Sequence, residues 1–359
     1  MDTGTLKMLK DLCDAPGVPG YEDEIRKVVR KYLPKGIKTS CDALGSIVCE
    51  KAGSSERPRI MIPGHMDEVG FMVKIVTDDG FVKFQPLGGW WDQVLLGQKV
   101  AVYGSKGPVT GLIGSKPPHI LPAEERSKVV QKKNMFIDVG AGSKKEVEKY
   151  GIRPGDPIVP VFAFEKMKNP KLLMAKAWDD RVGVGLFISV LKKLQKSRHA
   201  NTVYGVGTVQ EEVGTRGAKT SAYVVDPDVC LVAEVGISGD VPGIKPDEAQ
   251  GELGGGVQIC IHDSGMIPHR GLRDFVLDVA KKEKIKTQIC SLSGGATDGR
   301  PIHLHKGGVP TIYLGVPTRY IHTHGGILHA DDYDAAVKLV VAVCRRLDSA
   351  ALKKILPKA

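Results

Sequence analysis

The 359-residue sequence lacks the features that mark membrane, secreted and disulfide-rich proteins. No apolar run approaches the roughly 18–20 residues that a membrane span needs. The N-terminal segment MDTGTLKMLKDLCDAPG contains acidic residues and lacks the apolar core of a signal peptide. The seven cysteines are an odd number without a C-x-x-C pair, which argues against a disulfide framework. We therefore expect a cytoplasmic protein with reduced thiols and no membrane partner.

The sequence also has no internal repeat and no low-complexity tract. Its 51 Lys and Arg residues exceed its 41 Asp and Glu residues, for a formal net charge of +10. The basic residues are spread in helix-like patches such as 191–196 and 281–286, without a basic tail, a zinc finger or an aromatic-studded basic strand. This pattern is typical of solvated helix faces, and we expect no nucleic-acid partner.

The sequence does contain the alternation of an α/β protein. Short apolar runs that suit buried parallel strands are RIMIPG (59–64), TVYGVGTV (202–209), VCLVAEV (229–235) and VPTIYLG (309–315). Helical periodicity appears at 22–33, 180–196, 272–284 and from 331 to about 352. The alternation predicts an α/β domain with a mostly parallel sheet.

The segment 69–165 differs from its surroundings. It is rich in Val and Gly, contains turn pairs such as Asp79-Gly80 and Pro154-Gly155, and shows one helical stretch at 143–151. We predict a small β-rich domain, 69–165, inserted into an α/β domain made of 1–68 and 166–359.

Acidic and imidazole residues follow each predicted strand and open one predicted helix. They are His65, Asp67, Asp179, Asp180, Glu211, Glu212, Glu234, His322 and His324. Each alone has an ordinary explanation, such as a helix cap for Asp179 or Asp180. In open α/β sheets, however, the carboxyl ends of the strands meet at one edge. So many acids in one place would repel one another unless cations neutralised them.

Mixed histidine and carboxylate ligands suit Zn²⁺, Co²⁺ or Mn²⁺ better than Ca²⁺. The set is large enough for two metals that share a bridging aspartate. Water activated between two metals needs a base to accept its proton. Because successive strand side chains point to opposite faces, we expect Glu211 and Glu212 to differ in role, one as ligand and one as base.

The order H-x-D, Asp-Asp, Glu-Glu, Asp/Glu, His resembles that of the co-catalytic dimetal peptidases. The long insertion between Asp67 and Asp179 resembles the tetrahedral (TET) aminopeptidases, which include glutamyl and deblocking aminopeptidases and proteins labelled cellulase M. The resemblance covers nearly the whole chain. It rests on PGHMDEVGFMV, GSKPPH, DDRVG, QEEVGTRGA, GDVPG, HKGGVPT and PTRYIH.

The resemblance implies a role for each residue of the set. Asp179 would bridge two divalent ions, Zn²⁺ or Co²⁺ with Mn²⁺ as a further candidate, and its bond to Asp180 would be cis. His65 and Glu234 would complete one metal site, and Glu212 and His322 the other, with His324 as the alternative to His322. Glu211 would be the general base, and Asp67 would orient His65.

The family also implies a phosphorylase/hydrolase-like catalytic domain and an inserted PDZ-like domain that pairs subunits, with dimers forming a tetrahedral dodecamer. Trp90 and Trp91 could belong to such a contact, although we expect them to be buried inside the insert. The implied function is a metal-dependent aminopeptidase that removes N-terminal residues from peptides, through a water between the metals and a glutamate base.

Two alternatives remain at this point. An endo-β-glucanase would need two carboxyl groups facing each other across a sugar, roughly 5–9.5 Å apart, and no metal. A non-catalytic peptide-binding scaffold would lack a ligand or the base, and here every position is filled. The sequence leaves the native metal and the preferred N-terminal residue open.

Overall fold

A computed structural model describes residues 1–357, which form a mixed α/β fold. The helices are α1 (Thr3–Asp14), α2 (Asp23–Tyr32), α3 (Lys144–Lys149), α4 (Trp178–Leu194), α5 (Arg216–Val225), α6 (Arg270–Lys282), α7 (Gly299–Ile302), α8 (Ala330–Arg346) and α9 (Ser349–Ile355). The strands are β1 (Lys38–Cys41), β2 (Ile47–Lys51), β3 (Arg59–His65), β4 (Gly70–Val76), β5 (Val82–Leu87), β6 (Lys99–Gly104), β7 (Gly107–Gly114), β8 (Phe136–Asp138), β9 (Pro157–Pro160), β10 (Glu165–Lys166), β11 (Leu172–Ala175), β12 (Thr202–Thr208), β13 (Val229–Ile237), β14 (Val257–Cys260), β15 (Thr287–Cys290), β16 (Thr311–Arg319) and β17 (Gly326–His329).

The larger sheet has the strand order β1-β2-β12-β3-β13-β16-β17-β11-β10, with β14 paired to β16 and to β15. Its four central strands, β12, β3, β13 and β16, run parallel to one another. They are the four strands predicted from the apolar runs. All but their outermost residues are buried, as expected for strands covered on both faces.

The sheet as a whole is mixed, so the prediction of a mostly parallel sheet holds only for its centre. The flanking strands β2, β14 and β17 are antiparallel to their central neighbours. Towards the edges, β1 with β2 and β16 with β17 are consecutive strands joined by short connections, and a short connection between neighbouring strands requires antiparallel pairing.

Helices cover both faces of the larger sheet. On one face α1, α4, α6 and α8 build the main hydrophobic core, and α4 packs directly on β3 and β13. On the other face α5 and α7 enclose a smaller core. The central strands are thereby packed between two layers of helices.

Two glycines allow α4 to lie unusually close to the sheet. A Cβ on Gly64 of β3 would lie 2.5 Å from the carbonyl carbon of Gly183, and a Cβ on Gly183 would lie 2.2 Å from the carbonyl oxygen of Ala233. These neighbours are backbone atoms that cannot rotate away. The close approach brings the start of α4 next to His65.

The smaller sheet is a closed barrel of six antiparallel strands in the order β4-β5-β8-β7-β6-β9. Its strands lie within the segment 69–165, and the predicted helix at 143–151 corresponds to α3. A separate hydrophobic core fills it. The boundaries drawn from the sequence, 69 and 165, stay a prediction.

The two neighbouring tryptophans have different environments. Trp90 is 6% exposed, stacks on Phe71 and donates its Nε1–H to the carbonyl oxygen of Gly70 at 3.0 Å. Trp91 is 61% exposed, so the expectation of burial is right for Trp90 and wrong for Trp91.

The last predicted helix, 331 to about 352, is in fact two. Helix α8 ends at Arg346, and α9 begins after Asp348, whose carboxylate accepts the Ala351 N–H at 2.8 Å. An N-terminal cap of this kind starts a new helix, and the apolar periodicity that continues across the break concealed it.

All seven cysteines are free, in agreement with the prediction. Within residues 1–357, no helix combines the length and the apolar character that crossing a bilayer requires.

The glycine contact between β3 and α4 leads to a stability prediction. Gly64→Ala should destabilise the protein by about 1–3 kcal/mol because it overpacks a backbone contact. Gly307→Ala is the matched control, since a Cβ there meets nothing within 4 Å. Midpoints of chemical denaturation measure both effects. Equal midpoints for Gly64→Ala and the wild type would show that α4 does not need this close approach.

Candidate dinuclear metal centre

The predicted acidic and imidazole residues meet at one edge of the larger sheet. His65 ends β3 and Glu234 lies within β13. Glu211 and Glu212 follow β12, and His322 follows β16. Asp179 sits at the start of α4, and its peptide bond to Asp180 is cis, as the resemblance implies. Parallel strands with aligned ends explain how segments far apart in the chain converge here.

The side chains form two groups that share Asp179. One group is His65, Asp179 and Glu234, and the other is Asp179, Glu212 and His322. In each group the potential ligand atoms all lie within 4.8 Å of one another. Asp179 Oδ1 lies 2.9 Å from His65 Nε2, and its Oδ2 lies 3.2 Å from His322 Nε2. The two oxygens of one carboxylate thus face two different histidines.

Backbone carbonyl groups orient both histidines. His65 Nδ1 is 2.9 Å from the carbonyl oxygen of Asp67, and His322 Nδ1 is 2.7 Å from that of Gly89. With Nδ1–H donating to a carbonyl, Nε2 is the nitrogen that faces the carboxylates and can ligate a metal. Gly89 lies between β5 and β6, so the barrel segment takes part in shaping the site. No motif in the sequence singled it out.

Asp67 contacts the turn that carries the two glutamates. Its Oδ1 accepts the N–H of Glu211 at 3.0 Å, and its Oδ2 accepts the N–H of Glu212 at 3.1 Å. Its carboxylate is 3.6 Å from His65 Nδ1, which is longer than a hydrogen bond. Orientation of His65 therefore comes from the Asp67 carbonyl group, and the carboxylate fixes the glutamates.

The explanation of the Glu-Glu pair from strand alternation is wrong. Strand β12 ends at Thr208, and Gln210 has a left-handed backbone with φ of +55°, so both glutamates lie in a turn. The turn still separates them. Glu212 Oε2 is 3.6 Å from His322 Nε2, whereas Glu211 Oε2 is 3.9 Å from His65 Nε2 and Glu211 belongs to neither ligand group.

Glu22, which the sequence analysis did not single out, stabilises this turn by accepting a hydrogen bond from it. It is 2% exposed, and its Oε1 accepts the N–H of Gly20 at 2.8 Å and that of Gln210 at 3.0 Å. Burial and the charge of Asp67 raise the pKa of Glu22 to about 7. A glutamate at the start of α2 thus holds the strained residue next to Glu211.

The cluster contains more carboxylates than positively charged groups, and the pKa values of its members are shifted accordingly. Burial, followed by the charge of Asp179, raises the pKa of Glu212 to about 8. Burial likewise raises the pKa of Glu211 and of Glu234 well above the ordinary value, with further increases from neighbouring carboxylates. Burial lowers the pKa of His322, but Asp179 and Glu212 outweigh it and raise that pKa to about 10.

The residues present fit a pair of divalent cations. Glu212 Oε1 is buried and has no hydrogen-bond partner, an arrangement that is costly unless an ion binds there. Each group supplies one histidine and two carboxylates, and cysteine is absent from both. Such mixed nitrogen and oxygen ligands suit zinc, cobalt or manganese.

The cluster forms the floor of a cavity of about 270 Å³. Its walls include Gly294–Thr297, Leu292, Ile237, Ile321 and Arg300. The Gly-rich loop 293–301 thus lines the cavity. Its Asp298 is buried and accepts the hydroxyl hydrogen of Thr208 at 2.5 Å.

His324, the alternative to His322, lies outside both ligand groups. It is 3% exposed and packs against Trp90 at a ring distance of 5.2 Å. Burial lowers the pKa of His324 to about 4. Two further histidines make local contacts: His303 Nδ1 lies 2.9 Å from the Gly299 carbonyl oxygen, and His329 caps α8.

Comparison with known proteins now identifies the family. The family profile described as M42 glutamyl aminopeptidase matches residues 45–339. The chain belongs to the M42 family of aminopeptidases. It is accordingly a hydrolase that acts on peptide bonds, and the resemblance inferred from the motifs is confirmed.

Individual M42 relatives match over almost their whole length. The glutamyl aminopeptidase of Lactococcus lactis is 34% identical over 353 residues, which cover 97% of this chain and 98% of the relative. The structure of a TET aminopeptidase from a marine sediment archaeon of the Thaumarchaeota is 44% identical, with a TM-score of 0.95 and coverage of 98% and 99%. The TET1 peptidase of Pyrococcus horikoshii is 32% identical, with a TM-score of 0.87 and coverage of 96% and 100%, and assembles into a tetrahedron or a large octahedral shell.

The endoglucanase label appears at greater distance. A Thermotoga maritima structure carrying that label is 27% identical, with a TM-score of 0.77 and coverage of 97% of this chain and 99% of that one. The glucanase alternative is therefore less well supported than the aminopeptidase function, which the more similar relatives share.

The support from Glu22 leads to a second stability prediction. Glu22→Ala leaves two part-buried N–H groups without their acceptor and should cost about 1 kcal/mol. Glu22→Gln keeps an oxygen for both bonds and should remain close to the wild type. Thermal unfolding of the two variants measures the difference. If the glutamine variant loses as much stability as the alanine variant, the charge and not the acceptor is what matters.

Proposed function

We propose that this M42 enzyme holds two divalent cations and uses them to remove N-terminal residues from peptides. Asp179 would bridge the ions. His65 and Glu234 would complete one site, and Glu212 and His322 the other. The observation that carries this assignment is the Asp179 carboxylate, whose two oxygens lie 2.9 Å and 3.2 Å from two different histidines.

When bound, the cation pair supplies Lewis acidity and lowers the pKa of coordinated water toward about 7. Glu211 acts as general base, because it lies beside the ligand groups without belonging to either. It takes a proton from the attacking water and returns that proton to the leaving amine. Asp67 and Glu22 hold the turn that carries Glu211 by accepting its N–H groups.

The finer features rest on the family. We infer Zn²⁺ or Co²⁺ as the ions, with Mn²⁺ as a further candidate, since the donor set suits all three. The barrel is proposed as a PDZ-like dimerisation domain, with dimers building a tetrahedral dodecamer like the tetrahedron of the P. horikoshii TET1 peptidase. Seven free cysteines support a cytoplasmic location.

Replacing the proposed base separates catalysis from metal binding. Glu211→Gln should lower kcat by about 10²–10⁴-fold because proton transfer is lost. Metal content, measured by elemental analysis, should stay at the wild-type value because Glu211 is not in a ligand group. Hydrolysis of peptides by this variant at the wild-type rate would refute the assignment of the base.

Metal removal distinguishes the peptidase from the glucanase alternative. Dialysis against a chelator should abolish hydrolysis of aminoacyl anilides, and added zinc or cobalt should restore it. A carboxylate-only glycosidase would keep its activity on soluble cellulose under the same treatment. A non-catalytic scaffold would cleave no anilide even after metal is added.

A further inference from the structure

A groove next to the cavity offers a second place for the substrate. This groove, here called the side groove, has a volume of about 480 Å³ and shares Gly214, Thr215 and Arg300 with the cavity wall. Its other lining residues are Lys219, Tyr223, Pro301, Leu304 and His305, from α5 and from α7 with the segment after it. The shared residues make the two concavities continuous.

The side groove is lined by two cations and by no acidic residue. Lys219 and Arg300 are exposed, and neither has a carboxylate within ion-pair distance among residues 1–357. The acid near His305 is already neutralised. Asp226 is 2.7 Å from Lys306 and 2.8 Å from Arg57. The groove therefore carries a net positive charge that is available to a ligand.

The acidic residues of the adjoining cavity do not pair with these two cations, since within residues 1–357 none of them forms an ion pair with Lys219 or Arg300. Asp263, which lines the cavity on the side of Arg300, is 3% exposed and accepts the Gly265 N–H of its own turn at 2.7 Å. The N–H groups at the start of α5 are bonded to the carbonyl groups of 209–211. Anion binding in the side groove thus depends on the side chains of Lys219 and Arg300.

The side groove also has apolar contact area. Tyr223 is 66% exposed and Leu304 is 69% exposed, so both side chains offer apolar surface to a ligand. Together with the two cations they form a surface that suits a short peptide, whose backbone and apolar side chains need contact area and whose end is charged.

An aminopeptidase places the amino end of its substrate at the metals, so the rest of the peptide must leave the cavity by an open path. We propose that the side groove is this path and that Lys219 and Arg300 bind a carboxylate on the part of the substrate that follows the cleaved bond. The carboxylate is the free C-terminus of a short peptide or an acidic side chain in the same position. This inference rests on the proposed peptidase function and adds a preference on the departing side.

Matched peptides test the preference. Three tripeptides share the N-terminal residue that the enzyme releases fastest: X-Ala-Ala with a free carboxylate, X-Ala-Ala amide, and X-Ala-Asp amide. We expect kcat/KM for the free acid to exceed that for the neutral amide by about 3- to 30-fold, mainly through a lower KM, since the contact forms before the transition state. The aspartyl amide shows whether a side-chain carboxylate serves equally well.

Variants of Lys219 and Arg300 test whether the preference for a carboxylate arises in the side groove. Lys219→Gln and Arg300→Gln should each reduce the ratio of free acid to amide, and the double variant should bring it close to one. Lys219→Glu should bring the ratio below one, so that the neutral amide becomes the better substrate. Lys353→Gln on α9 removes the same charge from a helix that lines neither concavity and should leave the ratio unchanged, which excludes an effect of net charge.

Each outcome has one meaning. A wild-type enzyme that hydrolyses the acid and both amides equally well would overturn the groove proposal and leave the peptidase function intact. A ratio that persists in the double variant would also overturn it. If the metal-loaded protein hydrolysed none of the peptides, the proposed function itself would fail.

Discussion

The arrangement depends on the cost of burying several carboxylates in one small volume. Asp179, Glu211, Glu212 and Glu234 all line the floor of one cavity, and burial raises the pKa of the three glutamates. Two histidines offset only part of this negative charge. Bound cations would offset the rest, and unpaired buried charge is among the most destabilising features that a protein can contain.

The rest of the chain holds these groups at fixed positions. Gly64 and Gly183 let α4 approach β3, which sets Asp179 beside His65. Asp67 and Glu22 fix the turn after β12 by accepting its N–H groups, and Gly89 orients His322 from the barrel segment. Flexible segments could hold these side chains in place only at a high cost in entropy. Here, backbone atoms and buried carboxylate acceptors hold them instead.

Much of this was readable from the sequence, and what was missed has physical causes. Apolar runs gave the four central strands, and the acids after them gave the candidate ligands, since strand ends in such sheets converge. Glu22 was missed because an isolated glutamate at a helix start usually caps or faces solvent. Gly89 was missed because it acts through a carbonyl group, which every residue has. The break at Asp348 was hidden because the apolar periodicity continues on both sides of it.

The central claim is that two divalent ions lie on either side of Asp179. Anomalous diffraction from crystals grown with zinc measures this directly. The account predicts two peaks about 3.5–4 Å apart, one between His65 and Glu234 and one between Glu212 and His322. Metal-replete crystals without a peak at either position, in an enzyme that still hydrolyses peptides, would contradict it.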